Sequence, residues 1–440
     1  MSLTSGDTDD ETLVFLATRQ LSIGSAAGHR RVRHAGLAVS GGGDSMAMLH
    51  LVAPWALANG IAVSAATVDH GLRPESPEEA RFVASACAAL GVPHATLRWE
   101  GWNGRGNLQA AARAARRELL AGWAKARGAD AVLLAHTGDD QAETFLLRLA
   151  RGSGVDGLAA MPEDWRERGL RWMRPLLGER REDLRSYLRR HGHAWVDDPS
   201  NADERFARVR ARRALDALAP LGITVDRLRA TAWHMSLARD ALEHLSRDAA
   251  DRVATQRLGD VAFALGPYRA LPMESQLRLL AGAIRWVSGS DYRPRLHPLL
   301  RAWLAPATHD RPPRSPQRAL GGTILRWRGE GEGARLLVTR EPRAAARALS
   351  VPTAALWDGR WRLSGPHAPD LRIRMLGEEG IALCPDWRAT GLERGSVLAG
   401  PAVWRGPDLV AAPLAGRPEG WTAEVATDFH AFLRLGSRPP

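Results

Sequence analysis

Three consecutive glycines at the end of a short apolar run constrain this chain more than any other feature of its sequence. The run Leu37–Val39 predicts a buried strand, and apolar residues recur at helical spacing from Met46 onward. Between them lie Ser40, Gly41, Gly42, Gly43, Asp44 and Ser45. Glycine lets the backbone approach a ligand closely, and the N–H groups and dipole of a first helical turn attract anions. The stretch therefore predicts a strand, a tight loop and a helix start that together bind an anion.

The composition and spacing of this loop exclude one common phosphate site and argue against another. A Walker-type P-loop needs a lysine after its last glycine, and the only lysine of the chain is Lys125, far from the loop. A dinucleotide-binding turn fits poorly, because Asp44 and Ser45 follow the glycines directly. The string Ser40–Ser45 resembles the SGGxDS loop of the PP-loop ATP pyrophosphatases. That resemblance implies cleavage of ATP between its α- and β-phosphates, with an adenylated intermediate. The alternative is a glycine-rich turn with an acidic helix cap.

Strand-like and helical patterns alternate through the first half of the chain. Strands are predicted at Leu37–Val39, Ile61–Val68, His94–Leu97 and Ala131–Ala135, and helices at Ser45–Asn59, Pro77–Leu90, Asn107–Arg127, Asp140–Arg151 and Glu179–Arg190. Such alternation predicts an α/β fold with a doubly wound parallel sheet, PP-loop and Rossmann-like, as the catalytic domain. A helical domain and a small β-rich C-terminal domain are expected to follow. Amphipathic helices are predicted at Val225–Val253 and Glu274–Val287, the first with a mostly apolar stripe of Leu228, Trp233, Leu237, Leu242 and Leu245. A turn-rich linker or exposed loop is predicted at Ala305–Gln317 and a β-hairpin at Ile324–Arg340. The predicted boundaries are a tail and leading helix at 1–20, the catalytic domain at 21–218, the helical domain at 219–345 and the C-terminal domain at 346–440.

Composition narrows the class of partner and the compartment. The 440 residues carry a formal net charge of +11, which favours a polyanionic partner such as nucleic acid, although an arginine-rich genome would give the same bias. The two cysteines, Cys87 and Cys384, are too far apart in sequence for a CxxC pair, so neither a disulfide framework nor a zinc knuckle is expected. There is no membrane-length apolar run, and Met1–Glu11 is too polar for a signal peptide. A cytoplasmic protein is the expectation.

Polar residues follow the predicted strands at the edge where ligands bind in such sheets. Asp69 and His70 follow the second strand, with Arg73 close behind, and His136 follows the fourth. Because ligands of doubly wound sheets bind beyond the carboxyl ends of the strands, these residues and the glycine loop are expected to converge on one crevice. A turn with a capping aspartate is the simpler alternative for Asp69. Arg113 lies on the basic side of the helix after Asn107, where it faces either a ligand or solvent.

Three acids, Asp139, Asp140 and Glu143, lie at the start of the helix that follows His136. They stabilise the helix dipole, which is one explanation for them. Beside a triphosphate they require a cation, so a Mg²⁺ site formed by Asp44, Asp139 and Asp140 is the sharper prediction. Basic residues that could contact substrate follow: Arg148 and Arg151 beside a Gly-Ser-Gly break, and Arg205 and Arg208 in a dense basic segment.

Taken in order, these blocks resemble the tRNA(Ile)-lysidine synthetases, a family of PP-loop enzymes. The resemblance covers Gly36 to Arg213, and its strongest mark after the loop is His-Thr-Gly-Asp-Asp-Gln-Ala-Glu-Thr, residues 136–144. Two positions depart from the family pattern. Thr137 stands where many members have a second histidine, which puts a paired-histidine role in doubt, and Gln109 stands where an acid is common.

The resemblance implies a two-step reaction on tRNA(Ile) with a CAU anticodon, using ATP, Mg²⁺ and free L-lysine. The C2 oxygen of the cytidine at the first anticodon position attacks the α-phosphate, pyrophosphate leaves, and lysine then displaces AMP. The implied catalytic residues are Asp44, Arg113 and Asp140. The loop Ser40–Ser45 is expected to hold the phosphates, and the region after Pro220 to read other parts of the tRNA. The implied substrate contacts are Asp69, His70, Arg73, His136, Glu143, Arg148, Arg151, Arg205 and Arg208.

Two other readings compete with this one. A tRNA thiolase of the same superfamily commonly uses paired cysteines, whereas Cys87 stands alone in the catalytic region. A non-catalytic RNA-binding protein with a degenerate nucleotide fold would not need the intact Ser40–Ser45 loop. Release of AMP in the presence of lysine, ATP and the tRNA discriminates the enzyme from both.

Overall fold

The computed structural model describes residues 9–22, 31–71, 75–102, 107–197, 205–290, 292–304 and 317–434. These residues form two compact units that divide between Arg239 and Asp240, inside one long helix. The predicted boundaries at residues 20, 218 and 345 remain predictions.

The first unit is built on a six-stranded sheet. Its strands are β1 (His34–Ala38), β2 (Ala62–Asp69), β3 (His94–Arg98), β4 (Ala131–Leu134), β5 (Asp164–Glu167) and β6 (Leu170–Met173). The order is β3-β2-β1-β4-β6-β5, and all neighbours are parallel except the antiparallel edge pair β5–β6. The order reverses on either side of β1, so ligands are expected between the carboxyl ends of β1 and β4. The doubly wound parallel sheet is confirmed.

Helices cover this sheet. They are α1 (Asp10–Ser22), α2 (Gly43–Ala58), α3 (Ser76–Ala89), α4 (Leu108–Ala126), α5 (Gly138–Leu149), α6 (Val155–Leu158), α7 (Arg181–Arg190) and α8 (Ala207–Leu218), followed by the start of α9 (Val225–Val253). One core cluster joins α1, α2, α3 and α7 to the central strands, and another places Leu120 and Trp123 of α4 against Val132 and Trp172. Packing is close: a Cβ on Gly36 would lie 2.9 Å from the Trp123 ring. The glycine is therefore needed for this helix to lie on the sheet.

The sequence locates these elements to within a few residues, and the differences have local causes. The predicted strand Leu37–Val39 begins earlier, at His34, because His34–Ala38 pairs in register with both Ala62–Ala66 and Ala131–Leu134. The helix predicted from Asp140 begins at Gly138, because Thr137 and Asp140 form a capping box. The strands β5 and β6 were not predicted; Leu170–Met173 is short and lies beside a tight turn at Gly169.

The second unit is mixed rather than mainly helical over residues 240–345. After α9 come β7 (Ala254–Arg257), β8 (Asp260–Ala264), α10 (Leu265–Arg269), α11 (Met273–Ser288), α12 (Leu296–Leu304), β9 (Gln317–Leu320), β10 (Thr323–Arg328) and β11 (Arg335–Arg340). The strands form an antiparallel sheet of order β7-β8-β11-β10-β9, against which α11 packs. The predicted hairpin Ile324–Arg340 is confirmed as β10–β11. The predicted linker Ala305–Gln317 lies, apart from Gln317, outside the described residues.

The remainder of this unit is β-rich, as predicted. It contains α13 (Pro342–Ala345), β12 (Val351–Pro352), β13 (Trp361–Ser364), β14 (Leu371–Met375), α14 (Gly377–Ala382), α15 (Arg394–Leu398), β15 (Pro401–Arg405), β16 (Asp408–Ala411), β17 (Thr422–Val425) and α16 (Phe429–Arg434). Four strands form a sheet of order β12-β14-β15-β16, and β13 pairs with β17. Trp357, Trp361 and Trp421 are fully buried beside these sheets. None of the helices in the described ranges is long and apolar enough to cross a membrane.

Candidate nucleotide site at the glycine loop

The glycine loop leads directly from β1 into α2 and is held open by its own serines. The backbone N–H and hydroxyl of Ser40 lie 3.1 and 3.2 Å from the Ser45 hydroxyl, which itself donates to the Gly42 carbonyl at 2.9 Å. Gly42 is the N-cap residue of α2 and provides no side chain to cap it. No side chain caps the first turn of α2 by a hydrogen bond, which suits an anion site because the N–H groups of that turn lack a side-chain acceptor.

A Cβ at Gly41 or Gly42 would meet little steric hindrance, but the φ angle of Gly41 requires glycine. Gly41 has a φ of +89°, where a side chain is strained, and its carbonyl accepts from the Val196 N–H at 2.9 Å. Gly42 has an ordinary backbone, and a Cβ there would lie no closer than 3.9 Å to any neighbour. Gly42 is therefore not required by the fold of the loop, and closeness to a ligand is the remaining physical reason for it.

The acids around the loop are gathered by one arginine, Arg181, at the start of α7. Its guanidinium lies 3.2 Å from Asp44 Oδ2, 3.3 Å from Asp140 Oδ1 and 3.6 Å from Glu143 Oε1. Its backbone N–H donates to Asp139 Oδ2 at 2.7 Å. The carboxylates raise the pKa of Arg181 and outweigh its burial, so it stays charged. The charge compensation that the sequence analysis assigned to Mg²⁺ is thus supplied within the chain by Arg181.

Asp44 is the least compensated of these acids. Burial raises the pKa of Asp44 to about 6, with Asp140 adding to the rise and Arg181 opposing it. Its Oδ1 atom is buried and has no hydrogen-bond partner among the described residues. A buried carboxylate oxygen without a hydrogen-bond partner is stabilised by any cation that reaches it. Asp44 therefore has the character of a cation ligand, placed in the first turn of the phosphate-facing helix.

Asp140 and Glu143 are bound more fully. Asp140 Oδ2 accepts the Thr137 backbone N–H at 2.9 Å, and its Oδ1 lies 2.8 Å from Arg208. Although burial works against ionisation, the charges of Arg208 and Arg181 and the hydrogen bond from Thr137 hold the pKa of Asp140 below its ordinary value. Glu143 Oε1 accepts from Arg212 at 2.8 Å, whereas its buried Oε2 lies 4.0 Å from Arg208 and accepts no hydrogen bond in the described part of the chain. Asp140 is therefore ionised, and both acids hold arginines near the end of β4.

His136 lies at the carboxyl end of β4, where the sequence places it, and is a neutral acceptor. Its Nδ1 accepts from Arg174 Nε at 3.1 Å. Burial, followed by the charge of Arg174, lowers the pKa of His136 to about 3. Arg174 also donates to the Pro162 carbonyl and lies 4.0 Å from the centroid of the Trp165 ring. His136 is therefore a fixed hydrogen-bonding group and does not titrate near neutral pH.

Several arginines lie near His136, together with the carboxylate of Asp140. The charges of Arg208 and Arg116 both help to lower the pKa of His136, and burial, followed by the charge of Arg208, lowers the pKa of Arg113. Arg113 is exposed, whereas Arg116 is half-buried; burial and then Arg113 lower the pKa of Arg116. Convergence of arginines that repel one another favours an anion between them. The roles of Arg113 in catalysis and of Arg208 as a substrate contact stay predictions.

Asp69 and His70 end β2 at the same edge of the sheet. Asp69 Oδ1 accepts the Gly71 N–H at 2.8 Å, so its first role is the turn that the sequence analysis gave as the simpler alternative. His70 contacts Trp99 edge to face at 5.7 Å between ring centroids, and burial and then Arg116 lower its pKa. Its buried Nδ1 has no partner among the described residues. His70 thus remains a candidate contact for a ligand, and Arg73 lies outside the described residues.

The other predicted basic contacts, Arg148, Arg151 and Arg205, differ in exposure and in the hydrogen bonds they make. Arg148 donates to the carbonyls of Gly157 and Ala160 at 2.9 and 2.8 Å, which closes the turn after α5. Arg151 and Arg205 are exposed. Of these three, Arg148 has a structural role that the sequence analysis did not foresee.

Three functional residues escaped the predicted set of site residues: Arg174, Arg181 and Arg212. Each contacts a predicted site residue 38 to 137 positions away in sequence. The available signal was local: Arg174 and Arg181 flank a short apolar turn, and Arg212 lies in the basic segment after Arg205. Neither pattern indicates which acid an arginine meets, because that depends on how α7 and α8 pack.

The residues present fit a magnesium ion only in part. No group of three or more His, Cys, Asp or Glu side chains in the described ranges is arranged to hold a metal ion. Mg²⁺ at phosphate sites, however, commonly takes one or two carboxylates and completes its shell with phosphate oxygens and water. The orphaned Oδ1 of Asp44 suits that mode, whereas Asp139 and Asp140 already bind α7, Arg208 and the helix cap.

The comparisons with known proteins agree with this fold and site. Residues 17–218 match the family model described as the PP-loop domain, which makes the first unit an ATP-using domain of the PP-loop type. The chain is 47% identical over 404 residues to the tRNA(Ile)-lysidine synthase of Ruegeria pomeroyi, covering 91% of this chain and 94% of the relative. It is 43% identical over 267 residues to that of Wolbachia pipientis, covering 60% and 62%. The chain belongs to the tRNA(Ile)-lysidine synthase family.

One solved structure gives a more distant comparison. The U34-tRNA thiolase NcsA of Methanococcus maripaludis is 14% identical, with a TM-score of 0.43 over 51% of this chain and 77% of its own. The assignment to the PP-loop class rests on the sheet order, the loop geometry and the family match instead.

Proposed function

We propose that this chain attaches L-lysine to C2 of the cytidine at the first anticodon position of tRNA(Ile) bearing CAU, using ATP and passing through an adenylated cytidine. The observation that carries the proposal is the uncapped start of α2 behind the Ser40–Ser45 loop, beside the orphaned carboxylate oxygen of Asp44. The membership of the family supplies the substrate class. The product pairs with A instead of G and so changes the decoding of the tRNA from methionine to isoleucine.

In the first step, the cytidine C2 oxygen forms a bond to the α-phosphorus and pyrophosphate departs with the electrons of the broken P–O bond. The glycine loop and the first turn of α2 would hold the departing phosphates through backbone N–H groups, because phosphoryl transfer is catalysed mainly by positioning and charge. Mg²⁺ bound through Asp44 would neutralise phosphate charge. Arg113 and Arg208 would steady the α-phosphate from the other side of the pocket.

In the second step, an amino group of lysine attacks C2, AMP leaves with the former C2 oxygen, and the attacking nitrogen loses a proton. Adenylation is needed because the urea-like C2 of cytidine is a poor electrophile with no leaving group. Glu143 is our candidate for positioning the lysine ammonium, because its Oε2 accepts no hydrogen bond from the described residues, with Arg208 4.0 Å away. His136, neutral and fixed by Arg174, would contact the base or the adenylate by hydrogen bonding and does not serve as a titrating base.

The thiolase alternative is disfavoured by the state of the cysteine in the first unit. Cys87 is fully buried, and burial raises its pKa to about 11, so it is a poor nucleophile. No observation favours a non-catalytic RNA-binding role over catalysis.

The proposal is tested by incubating the protein with tRNA(Ile) transcript, ATP, Mg²⁺ and lysine, followed by mass analysis of the nucleosides. We expect the anticodon cytidine to gain lysine with one AMP and one pyrophosphate released per tRNA. Omission of lysine should stop AMP release while adenylated tRNA accumulates. An unmodified cytidine, or a sulfur-bearing product when a sulfur donor is added, would overturn the proposal.

A further inference from the structure

Arg212 on α8 covers the acid that we assign to lysine. Glu143 lies on α5 and is 0% exposed, and its Oε1 accepts from Arg212 Nε at 2.8 Å. Arg181 lies 3.6 Å from the same oxygen, and Arg208 lies 4.0 Å from Oε2. Because this carboxylate does not contact solvent, an amino group of lysine reaches it only when one of the side chains that cover it moves away.

The formal charges of this cluster already cancel. Three carboxylates and three guanidinium groups pair with one another here: Asp44, Asp140 and Glu143 with Arg181, Arg208 and Arg212. Asp139 and Arg180 form a further pair beside them at 3.6 Å. Lysine with both amino groups protonated carries a net positive charge, and an additional buried cation without a partner is costly. A lysine ammonium at Glu143 is therefore expected to replace a guanidinium.

The three guanidinium groups differ in how firmly they are held. Arg181 lies within 3.6 Å of three carboxylates, and its side chain is 18% exposed. Arg208 lies within 4.0 Å of two carboxylates and is 32% exposed. Arg212 is 37% exposed, and among the described residues it pairs with Glu143 alone. Because a partly exposed ion pair with one partner contributes less than one held by several buried carboxylates, Arg212 is the guanidinium that costs least to displace.

The contact between α5 and α8 does not depend on Arg212. Phe145 of α5 and Leu215 of α8 are buried in one core cluster, which Leu228 and Ala232 of α9 complete. These apolar contacts hold the helices together whether or not the guanidinium is on Glu143. The Arg212 side chain can therefore leave by rotation about its own bonds, without local unfolding.

We propose that the Arg212 guanidinium occupies the subsite of the lysine amino group at Glu143, and that lysine displaces it on binding. The inference rests on the proposed function for the identity of the amino substrate. Arg212 keeps the buried acid paired before lysine arrives, and the cost of removing the guanidinium lowers the affinity for lysine. Arg212 is thus a residue that sets lysine affinity.

The test is the KM for lysine and the KM for ATP in lysidine formation, together with equilibrium dialysis of the full chain against labelled L-lysine. Arg212→Gln removes the competing charge and keeps a polar side chain. We expect lysine to bind about fivefold more tightly to this variant, which is about 1 kcal/mol at about 1.4 kcal/mol per factor of ten. The KM for ATP should equal that of Arg213→Gln, the exposed arginine next along α8, which controls for the general loss of a positive charge. A merely structural role predicts the opposite, because damage to the cluster would raise both KM values.

A lysine affinity of Arg212→Gln equal to or below that of Arg213→Gln, with wild type forming lysidine, would overturn the inference and leave the proposed function intact. Absence of lysidine from the wild-type reaction refutes the proposed function instead. A crystal structure of wild type with L-lysine needs no folded variant. It should show an amino nitrogen within hydrogen-bond distance of Glu143 and the Arg212 guanidinium moved off Oε1. Arg212 still on Glu143 beside bound lysine, or no lysine at Glu143, would also overturn the inference.

Discussion

Replacement of Arg181 by methionine should destabilise the first unit more than any comparable change on the same helix. Its guanidinium lies 3.2 to 3.6 Å from the carboxylates of Asp44, Asp140 and Glu143, and the side chain is only 18% exposed. Removing one partner of a buried ion pair costs about 3–5 kcal/mol, because a charge is left buried and uncompensated. Partial solvent access to Asp44 argues for the lower end, so we expect a loss of about 3 kcal/mol at pH 7.5.

The matched control is Arg185→Met, one helical turn further along α7. Arg185 contacts Asp197 at 3.2 Å, and these side chains are 35% and 72% exposed. Exposed pairs of this kind contribute about 0–1 kcal/mol. Both variants make the same chemical change on the same helix, and the charge of Arg185 acts on Asp44 more weakly than that of Arg181. We therefore expect the two losses of stability to differ by at least about 2 kcal/mol.

The assay is amide hydrogen exchange of peptides from α5 and α7, which reports the local free energy of unfolding. The penalty of Arg181→Met should shrink as the pH falls through about 6. In that window Asp44, whose pKa burial raises to about 6, takes up a proton and no longer needs a counter-charge. Equal protection in the two variants, or a penalty independent of pH between 5 and 7.5, would refute the reasoning.

Further predictions concern the loop and the turn after α5. Folding raises the pKa of Asp44 from 3.8 to about 6, so ionisation of Asp44 costs the folded protein about 3 kcal/mol above pH 6. In urea titrations between pH 4 and 7, wild type should therefore lose about 3 kcal/mol of stability relative to Asp44→Asn. The Asp44→Asn variant should no longer incorporate lysine. Gly41→Ala, at a φ of +89°, should lower stability by about 1–2 kcal/mol in thermal melts. Gly42→Ala should keep its stability and bind ATP more weakly in calorimetry. Unimpaired ATP binding by Gly42→Ala would contradict the loop assignment. Arg148→Gln should lower the free energy of unfolding by about 1.5–3 kcal/mol, because two backbone carbonyls lose a charged donor. Arg151→Gln should leave stability unchanged and weaken tRNA binding. The opposite pattern in the two variants would contradict the roles assigned to these arginines.

The parts of the fold that the sequence predicts well are those in which local pattern and tertiary packing agree. The β1–loop–α2 corner is such a case, because buried strand, glycines and apolar helix follow one another without interruption. The bounds of α9 are also predicted correctly, from Val225 to Val253. The five-stranded sheet of the second unit was not predicted as a whole, because β7 and β8 are short and β8 pairs with β11, about 75 positions later.

The apolar stripe predicted on α9 shows why periodicity alone is insufficient. Leu228 is buried, but Trp233, Leu237 and Leu245 are 59%, 48% and 56% exposed. Helical spacing predicts that side chains share a face, but not that another element covers that face. The same limit applies to the site: the sequence identifies the acids at the helix starts, but not Arg181, whose contacts depend on how α7 packs against α2 and α5.

The central claim is that the Ser40–Ser45 loop grips the phosphates of ATP so that the α-phosphorus can be passed to a nucleobase. A crystal structure with Mg²⁺ and a non-hydrolysable α,β-methylene analogue of ATP tests it most directly. The account predicts phosphate oxygens within hydrogen-bond distance of the loop backbone, and a metal ion bound through Asp44 Oδ1. A nucleotide bound elsewhere, with the loop contacting none of its phosphates, would contradict it.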